Sequence, residues 1–267
     1  MNHKEIPQTL YKYRSWDNKF HRRLLTHSEI FFSSVDRFND PFEGTIPIIY
    51  TEDVLIKKAT KHIKEMYPSL KPKEARRKAK QRLIKAGTSK NPKKQKEIQY
   101  GIKKKRFGIC TLSEIADNIP MWSHYADHHK GICVGFDTKK IVKYFELNFK
   151  KVGTIDLYPI DYVREYPELI PDEPDKYNYV LKSVIVKSID WKYEREWRLI
   201  SIGKDHTNFT LNVPDDVICK IILGYRIAEE HKENIIKVLN SKNRKIPLYQ
   251  ASIMDTAFGL DFKEIEY

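Results

Sequence analysis

The sequence has few cysteines and no long run of apolar residues. Its three cysteines, Cys110, Cys133 and Cys219, lie far apart and form no CxxC pair. A structural zinc site made of thiolates is therefore not expected, and the cysteines are predicted to be buried free thiols in a reducing cytoplasm. Because no apolar run approaches about 18 residues, no membrane-spanning helix is expected. The N-terminal segment also lacks the apolar core of a secretory signal, which favours a cytoplasmic location.

Short motifs that mark several large enzyme classes are also missing. The patterns GxGxxG, GxxxxGK[ST], HExxH and GxSxG do not occur. Rossmann-type dinucleotide binding, P-loop NTPase, zincin and α/β-hydrolase functions therefore lack their signatures. Any chemistry in this chain has to come from another arrangement of residues.

Positive charge is abundant but concentrated in one segment. Residues 51–106 contain 20 lysines and arginines against 5 aspartates and glutamates, a net charge of +15. The whole chain carries +13, so the remainder carries only −2. The segment is predicted to form two or three lysine-rich helices with thin apolar stripes. Such a surface suits a phosphate backbone, although a solvated helical hairpin is the simpler alternative.

The pattern of apolar residues outside that segment predicts more strands than core helices, without regular alternation. We expect one α+β domain over 1–267, built on a mixed, mainly antiparallel sheet with flanking helices, and with 51–106 as a basic helical insertion. The predicted strands are 9–14, 29–34, 107–113, 131–137, 151–160, 189–203, 208–213, 217–224, 245–250 and 258–265. The predicted helices outside the insertion are 16–26, 120–128, 138–145, 175–186 and 227–239. The segment 208–213 is expected to pair with 189–203 as a hairpin, and the last strand to lie at an edge.

The stretch from Ile189 to Gly203, IDWKYEREWRLISIG, is the richest in aromatic and charged residues. If it is one strand, its large aromatics fall on one face, while Glu194, Glu196 and Arg198 fall on the other. Residues two apart on a strand are about 6.5 Å apart, so the two carboxylates would repel and raise the pKa of at least one of them. One interpretation is a salt-bridged surface ladder. The other is a pair of catalytic carboxylates, Glu196 with Glu194 as its neighbour.

A second dense stretch, MWSHYADHHKG, contains three histidines. On a helix, His124 and His128 would share a face as a possible metal pair, but no third ligand stands at a suitable spacing, and no metal is predicted. In another interpretation the helix docks through its apolar residues and its histidines bond to backbone or water. In a third, His124 and Tyr125 line a pocket, where they offer a hydrogen-bond donor and a flat stacking surface.

Four sequence blocks resemble a known family. The segments LYKYRS, IFFSSVDRFNDPFEG, MWSHYADHHKGICVGFD and WKYEREWRLI, in that order, resemble the bacterial domain-of-unknown-function family 2971. The resemblance covers most of the chain outside the basic insertion. The family name implies no activity.

A looser resemblance is to ADP-ribosyltransferases of the arginine–serine–glutamate type. The matching residues, in order, are Arg14, Ser33, Ser34, Glu194 and Glu196. The resemblance implies NAD as cosubstrate, with the two glutamates catalytic. It also implies a cofactor site that contains Arg14, Ser33 and Ser34. We expect His124 and Tyr125 to belong to the same site, because a tyrosine can stack on nicotinamide. The residues expected to shape the pocket are Asn39, Asp40, Glu43 and Arg198.

The chemistry of NAD cleavage suits these residue types. Breaking the nicotinamide–ribose bond develops positive charge at the ribose, which a carboxylate stabilises, and an arginine can clamp pyrophosphate. An NAD-cleaving or ADP-ribosylating enzyme in bacterial defence, or a toxin, is therefore our first hypothesis. The second is a nucleic-acid-binding module or nuclease that uses residues 51–106, and the third is a non-catalytic interaction protein. The sequence does not indicate an oligomeric state.

Overall fold

The computed structural model of the chain describes residues 5–86, 92–149, 154–169, 178–203, 207–242 and 244–267. The chain divides into two compact units. The first comprises Met1–Ser34, Arg106–Tyr162 and Ile189–Tyr267, and the second comprises Val35–Lys105 and Val163–Ser188. Residues 51–105 of the predicted basic insertion thus lie in the second unit, which begins at Val35 and extends beyond the insertion.

Most of the strands belong to one mixed sheet in the first unit. In chain order the described strands are β1 (Thr9–Arg14), β2 (Glu29–Phe32), β3 (Phe107–Ser113), β4 (Ile132–Asp137), β5 (Thr154–Pro159), β6 (Asp161–Val163), β7 (Val186–Ser188), β8 (Glu196–Ile202), β9 (Phe209–Asn212), β10 (Ile218–Leu223), β11 (Leu248–Ile253) and β12 (Leu260–Ile265). The large sheet runs in the order β12-β11-β10-β4-β1-β3-β8-β5. Its described pairings are antiparallel except for β10 with β11. The predicted α+β class with a mainly antiparallel sheet is confirmed.

Helices occur in both units. In chain order they are α1 (Lys19–Thr26), α2 (Glu52–Met66), α3 (Pro72–Ala86), α4 (Pro92–Arg106), α5 (Ile119–Tyr125), α6 (Thr138–Phe149), α7 (Asn178–Ile185) and α8 (Glu229–Asn240). Short 3₁₀ helices occur at Val35–Arg37, Ile189–Glu194 and Asp215–Val217. The parallel pair β10 and β11 is joined through α8, which confirms the predicted strand–helix–strand unit. None of the helices in the described ranges has the length and apolar character that a membrane crossing requires.

The centre of the large sheet is buried on both faces. Leu10 and Val134 belong to the larger apolar cluster on one face, and Tyr13 and Cys133 belong to the cluster on the other. Helix α5 packs on the second face through Trp122, whose ring meets Tyr13 edge-on at 5.3 Å between centroids. The indole N–H of Trp122 donates to the carbonyl of Ala116 at 2.7 Å, so this large side chain is buried without losing its hydrogen bond.

The stretch 189–203 is not one strand, contrary to the prediction from its alternation. Ile189–Glu194 forms a 3₁₀ helix, and β8 begins only at Glu196. Arg195, between them, has a left-handed backbone with φ of 45°. An extended chain cannot continue through a residue in that conformation, so the period-two pattern ends there.

The predicted hairpin between 208–213 and 189–203 is also wrong. Strand β9 pairs with β2, with Phe209 opposite Phe32 and Asn212 opposite Glu29. Both edges of β8 are already paired, one with β3 and the other with β5. Since a strand has only two edges, β8 has none left for β9.

The second unit contains a helical hairpin with a small apolar contact. Helices α2 and α3 pack through Ile63, Ala75 and Ala79, all of which are buried. The small alanine side chains let the two helices approach closely. The hydroxyl of Thr51 accepts a backbone N–H at the start of α2. Both predicted features of this segment, lysine-rich helices and thin apolar stripes, are therefore observed, and α2 ends at Met66, just before Pro68.

Gly131 should be intolerant of a side chain, because a Cβ there would lie 2.2 Å from the carbonyl oxygen of Arg14. We expect Gly131→Ala to lower the free energy of unfolding by about 2 kcal/mol or more, since backbone atoms have to move. Gly101 is the matched control, because a Cβ there meets nothing within 4 Å. Gly101→Ala in α4 should be neutral or stabilising by up to about 1 kcal/mol. Denaturant unfolding of both variants measures this, and equal effects would contradict the close approach at Gly131.

Candidate active site

The bend at Arg195 is held by Glu114, which follows β3. The Glu114 backbone N–H donates to the Arg195 carbonyl at 3.0 Å. Its carboxylate accepts bonds from the Arg195 guanidinium at 2.9 Å and from the indole N–H of Trp197 at 2.7 Å. A single buried side chain thus ties Arg195, at the bend, to Trp197 in β8, and it holds the bend that separates Glu194 from Glu196.

The two glutamates face different partners. Glu196 forms an ion pair with Arg198, whose Nε is 2.7 Å from Oε1 and whose Nη2 is 3.2 Å from Oε2. Glu194 accepts a hydrogen bond of 2.7 Å from the hydroxyl of Tyr125 in α5. The carboxylates therefore do not share one strand face as the alternation predicted, although both point into the first unit.

The surface-ladder interpretation of this stretch is wrong. Glu194 and Glu196 are 4% and 3% exposed, and Arg198 is fully buried at 0%. Removing a charge from water is costly unless partners compensate it. Charged side chains in a surface ladder would be exposed to solvent. The burial of these residues therefore needs either a structural or a functional explanation.

Lys12 is a further charged group near the two carboxylates. Its ammonium donates to the hydroxyl of Thr111 at 2.7 Å and to the carbonyl of the same residue. Burial, and after it the charge of Arg14, lowers the pKa of Lys12 to about 8, while Glu196 and Glu194 oppose that shift. The lysine is therefore close enough to both carboxylates to feel their charge.

Tyr162 completes the group of polar side chains around Glu196. Its hydroxyl accepts the backbone N–H of Glu196 at 2.8 Å. Burial raises the pKa of Tyr162, so the phenol remains protonated at neutral pH. We call Lys12, Tyr125, Tyr162, Glu194, Glu196 and Arg198 the buried polar cluster.

Arg14 is placed on the opposite face of the sheet from Glu196. Tyr11 pairs with Ser113, and Ser113 pairs with Glu196, so these three residues share a face. Arg14 lies three residues after Tyr11 on the same strand and therefore points the other way. On that face it lies near His21, whose pKa is lowered to about 4 by burial and then by Arg14 and Lys12. The structure does not bring Arg14 together with the predicted catalytic carboxylates.

The predicted serines follow β2. Ser33 forms a single backbone bridge with Ile109 of β3. Ser34 is fully buried, and its backbone N–H donates to the side chain of Asn208 at 3.2 Å. Their predicted cofactor contact stays a prediction.

His124 and Tyr125 lie together at the end of α5, as the pocket interpretation expects. The rings of His124 and Tyr125 are 6.2 Å apart, and Tyr193 lies 6.4 Å from His124. His124 is exposed, and the two tyrosines are half-buried. Because α5 ends at Tyr125, His128 is not one helical turn from His124, and the metal-pair geometry is absent. Among the residues whose positions are described, no three His, Cys, Asp or Glu side chains form a metal-binding group.

The residues expected to shape the pocket, Asn39, Asp40 and Glu43, belong to the second unit. The Asp40 carboxylate accepts the backbone N–H of Phe42 at 2.9 Å, which is typical turn chemistry. Lys103 reaches the same turn, where its ammonium donates to the carbonyl of Gly44 at 3.0 Å. These contacts describe an ordered turn, and the predicted role in a pocket stays a prediction.

Three residues of this region were not singled out in the sequence: Lys12, Tyr162 and Glu114. Lys12 carried a weak signal, since it lies between inward-facing Leu10 and Arg14 on a predicted strand. Tyr162 and Glu114 carried none, because only the pairing of β3, β5 and β8 brings them to the bend.

The comparisons with known proteins give one match. Residues 121–199 match a family described as "Protein of unknown function (DUF2971)". The matched segment contains Tyr125, Tyr162, Glu194, Glu196 and Arg198, so five of the six members of the buried polar cluster lie inside it. The search of curated proteins and the search of solved structures returned no match. The match supports the first family resemblance seen in the sequence, and the family description names no activity.

The depressed pKa of Lys12 predicts how stability changes with pH. Between about pH 8 and the usual lysine pKa of 10.5, the unfolded chain holds a proton that the folded chain releases, so stability rises with pH through this window. Lys12→Met should remove a rise of about 1–2 kcal/mol between pH 8 and 9.5. Denaturant unfolding at several pH values checks this. An unchanged pH slope in the variant would show that Lys12 keeps an ordinary pKa.

Proposed function

We propose that this protein is an NAD-cleaving enzyme, either an NAD glycohydrolase or an ADP-ribosyltransferase. The observation that carries the proposal is the position of Glu194. Its buried carboxylate is bonded to Tyr125, beside the group of rings formed with His124 and Tyr193. A carboxylate next to accessible aromatic rings is the arrangement that a planar leaving group and a developing cation require.

The burial of so many ionisable groups supports a functional explanation. A buried ion pair contributes little net stability, because the cost of dehydrating two charges offsets their attraction. The buried polar cluster nevertheless keeps two carboxylates, an arginine and a lysine with a pKa of about 8 in one region. Groups with shifted pKa values concentrate at active sites, where they are held ready for charge or proton transfer.

The two glutamates suit different roles. Glu196 is held by Arg198 through both of its oxygens, so its charge is balanced and its position is fixed. Glu194 accepts a bond from Tyr125, whose ring lies beside exposed His124. We therefore assign the reacting carboxylate to Glu194, the one bonded to the aromatic group, and the positioning role to Glu196, the reverse of the assignment that the sequence suggested.

The proposed reaction breaks the bond between ribose C1′ and the nicotinamide nitrogen. The bonding electron pair leaves with nicotinamide, which becomes neutral, and the ribose becomes an oxocarbenium-like cation. The Glu194 carboxylate stabilises that cation, while the aromatic group offers a stacking surface for nicotinamide. A water molecule, or a nucleophile on another molecule, then bonds to C1′ and loses a proton. The first acceptor gives free ADP-ribose, and the second gives ADP-ribosylation, either of which suits a bacterial toxin or defence protein.

The role that the resemblance implies for Arg14 is not part of this proposal. Arg14 points away from Glu196 across the sheet, so one NAD molecule on the face of Glu194 does not reach it directly. Lys12 shares the strand face of Arg14, but its ammonium reaches Thr111 of β3 and its pKa responds to both carboxylates. Lys12 and Arg198 are therefore two cations that act on these carboxylates.

Glu194→Gln should lower NAD turnover by about 10² or more, because the amide keeps the size of the side chain but loses its charge. The matched control is Glu233→Gln, which removes an exposed carboxylate in α8 and should leave turnover unchanged. The assay is nicotinamide release from NAD by the full chain, with a thermal melt of each variant to verify folding. Absence of NAD turnover by the wild-type protein, or full activity in Glu194→Gln, would overturn the proposal.

A second candidate function is nucleic-acid binding by the second unit, and α3 is the observation that favours it. This helix presents one acidic residue, Glu74, and seven exposed cations: Lys73, Arg76, Arg77, Lys78, Lys80, Arg82 and Lys85. A groove of about 230 Å³ runs between α2 and α3, and Tyr67, Lys78 and Arg82 line it. Cations that bind phosphate beside a half-exposed tyrosine are typical of single-strand binding surfaces.

The triple variant Lys78→Gln, Arg82→Gln and Lys85→Gln should weaken binding to single-stranded nucleic acid about 10- to 100-fold at low salt. It should also reduce the slope of log affinity against log salt by about 2, since each lost phosphate contact releases fewer counterions. The control removes the same charge from α6 of the first unit through Lys139→Gln, Lys140→Gln and Lys143→Gln. Fluorescence anisotropy at several salt concentrations measures both. Equal losses in the two triple variants would indicate attraction by net charge alone.

A further inference from the structure

A pocket in the first unit shares no lining residue with the buried polar cluster. It has a volume of about 490 Å³, within the range of small-molecule sites. The loop between β11 and β12 forms one wall, and His129, Tyr225 and Ile119 form the rest. We call it the His129 pocket.

The backbone around His129 is held in an unusual conformation. Asp127, His128 and His129 are consecutive non-glycine residues with positive φ values of 48°, 51° and 69°. The backbone of His129 makes two hydrogen bonds. Its N–H donates to the carbonyl of Trp122, and its carbonyl accepts from the backbone N–H of Arg226. Left-handed backbone is unfavourable for residues with a side chain. These hydrogen bonds therefore hold the imidazole in a position that the backbone would not adopt without them.

The imidazole of His129 is fixed by stacking but incompletely bonded. It is 8% exposed, its plane lies 8° from that of Trp122, and its centroid is 4.9 Å from that of Tyr225. Nε2 shares a hydrogen bond of 3.2 Å with Ser123, while buried Nδ1 has no hydrogen-bond partner within the described part of the chain. Burial, then Arg226 and His128, lowers the pKa of His129, so the ring is neutral at pH 7. Leaving a buried nitrogen unpaired is costly, and a ligand that pairs with it after a small shift of the ring or of the loop between β11 and β12 would recover that cost.

The other wall of the pocket is apolar and aromatic, with one carboxylate. Phe258 is 105% exposed and Ile253 is 60% exposed, which is unfavourable for large apolar side chains in water. Met254 adds an adaptable thioether, and Asp255 is the acidic residue of the lining. Aromatic faces, one neutral nitrogen and one carboxylate are together a small set of complementary groups for a flat polar molecule.

We propose that the His129 pocket binds a nucleobase with an exocyclic amino group, of the adenine type, as a free nucleoside or as part of a larger molecule. The base stacks on Phe258 or Tyr225, a ring nitrogen bonds to His129, and Asp255 accepts from the amino group. This site does not depend on the reaction proposed for Glu194. Binding in this pocket does not require the bound molecule to be cleaved.

Calorimetric titration of the full chain with adenosine tests the proposal, with tryptophan fluorescence as a second readout because Trp122 stacks on His129. Phe258→Ala should weaken binding about tenfold through lost stacking, and since Phe258 is fully exposed the fold is not at risk. The matched control is Phe20→Ala, which removes another exposed phenylalanine from the same unit and should leave binding unchanged.

Asp255→Asn tests the amino-group contact. The wild-type protein should prefer adenosine about tenfold over purine riboside, which lacks the amino group, and the variant should lose this preference. His129→Asn should retain part of the affinity, because asparagine tolerates left-handed backbone and keeps a polar group. Glu194→Gln should bind adenosine like the wild type, which separates this proposal from the catalytic one. No binding of adenosine at millimolar concentration, or binding that neither Phe258→Ala nor Asp255→Asn changes, would overturn the proposal.

Discussion

The contact of Glu114 with Arg195 determines the directions in which the side chains of Glu194 and Glu196 point. A left-handed arginine costs about 1 kcal/mol or more in backbone energy. Glu114 offsets that cost with a backbone bond and two side-chain bonds. Without this bend, Glu194 would continue the alternation of β8 beside Glu196. With it, Glu194 leaves that alternation and accepts a hydrogen bond from Tyr125.

Charge compensation is the second constraint, and it follows from the first. Once the bend directs both glutamates inward, each needs a partner in a region where water is excluded. Arg198 on the same strand provides one for Glu196, and Tyr125 on α5 bonds to Glu194. The assignment of the reacting role to Glu194 follows from this bond, because it places the carboxylate beside the aromatic rings.

Much of the fold was predictable because its signals are local. The strands β1, β3, β4 and β10 are short apolar runs, and the helices of residues 51–106 follow from periodic spacing and from Pro68 and Pro92. The pairing of β9 was not predictable, since it depends on β8 having both of its edges occupied by strands that are distant in sequence. The bend was likewise hidden, because Arg195 carries no local sign of a left-handed conformation and its support comes from Glu114, 81 residues away.

For the site, the sequence alone determined which stretches contain the polar side chains, and it singled out Glu194, Glu196, Arg198, His124 and Tyr125. Four of these belong to the buried polar cluster, and the fifth, His124, lies beside the ring of Tyr125. Only the tertiary structure decided that Arg14 faces the other side of the sheet and that Lys12 and Tyr162 approach the carboxylates. The reason is that the face to which a strand residue points depends on the register with its neighbours. That register is determined by packing over the whole sheet and not by the residues of the strand itself.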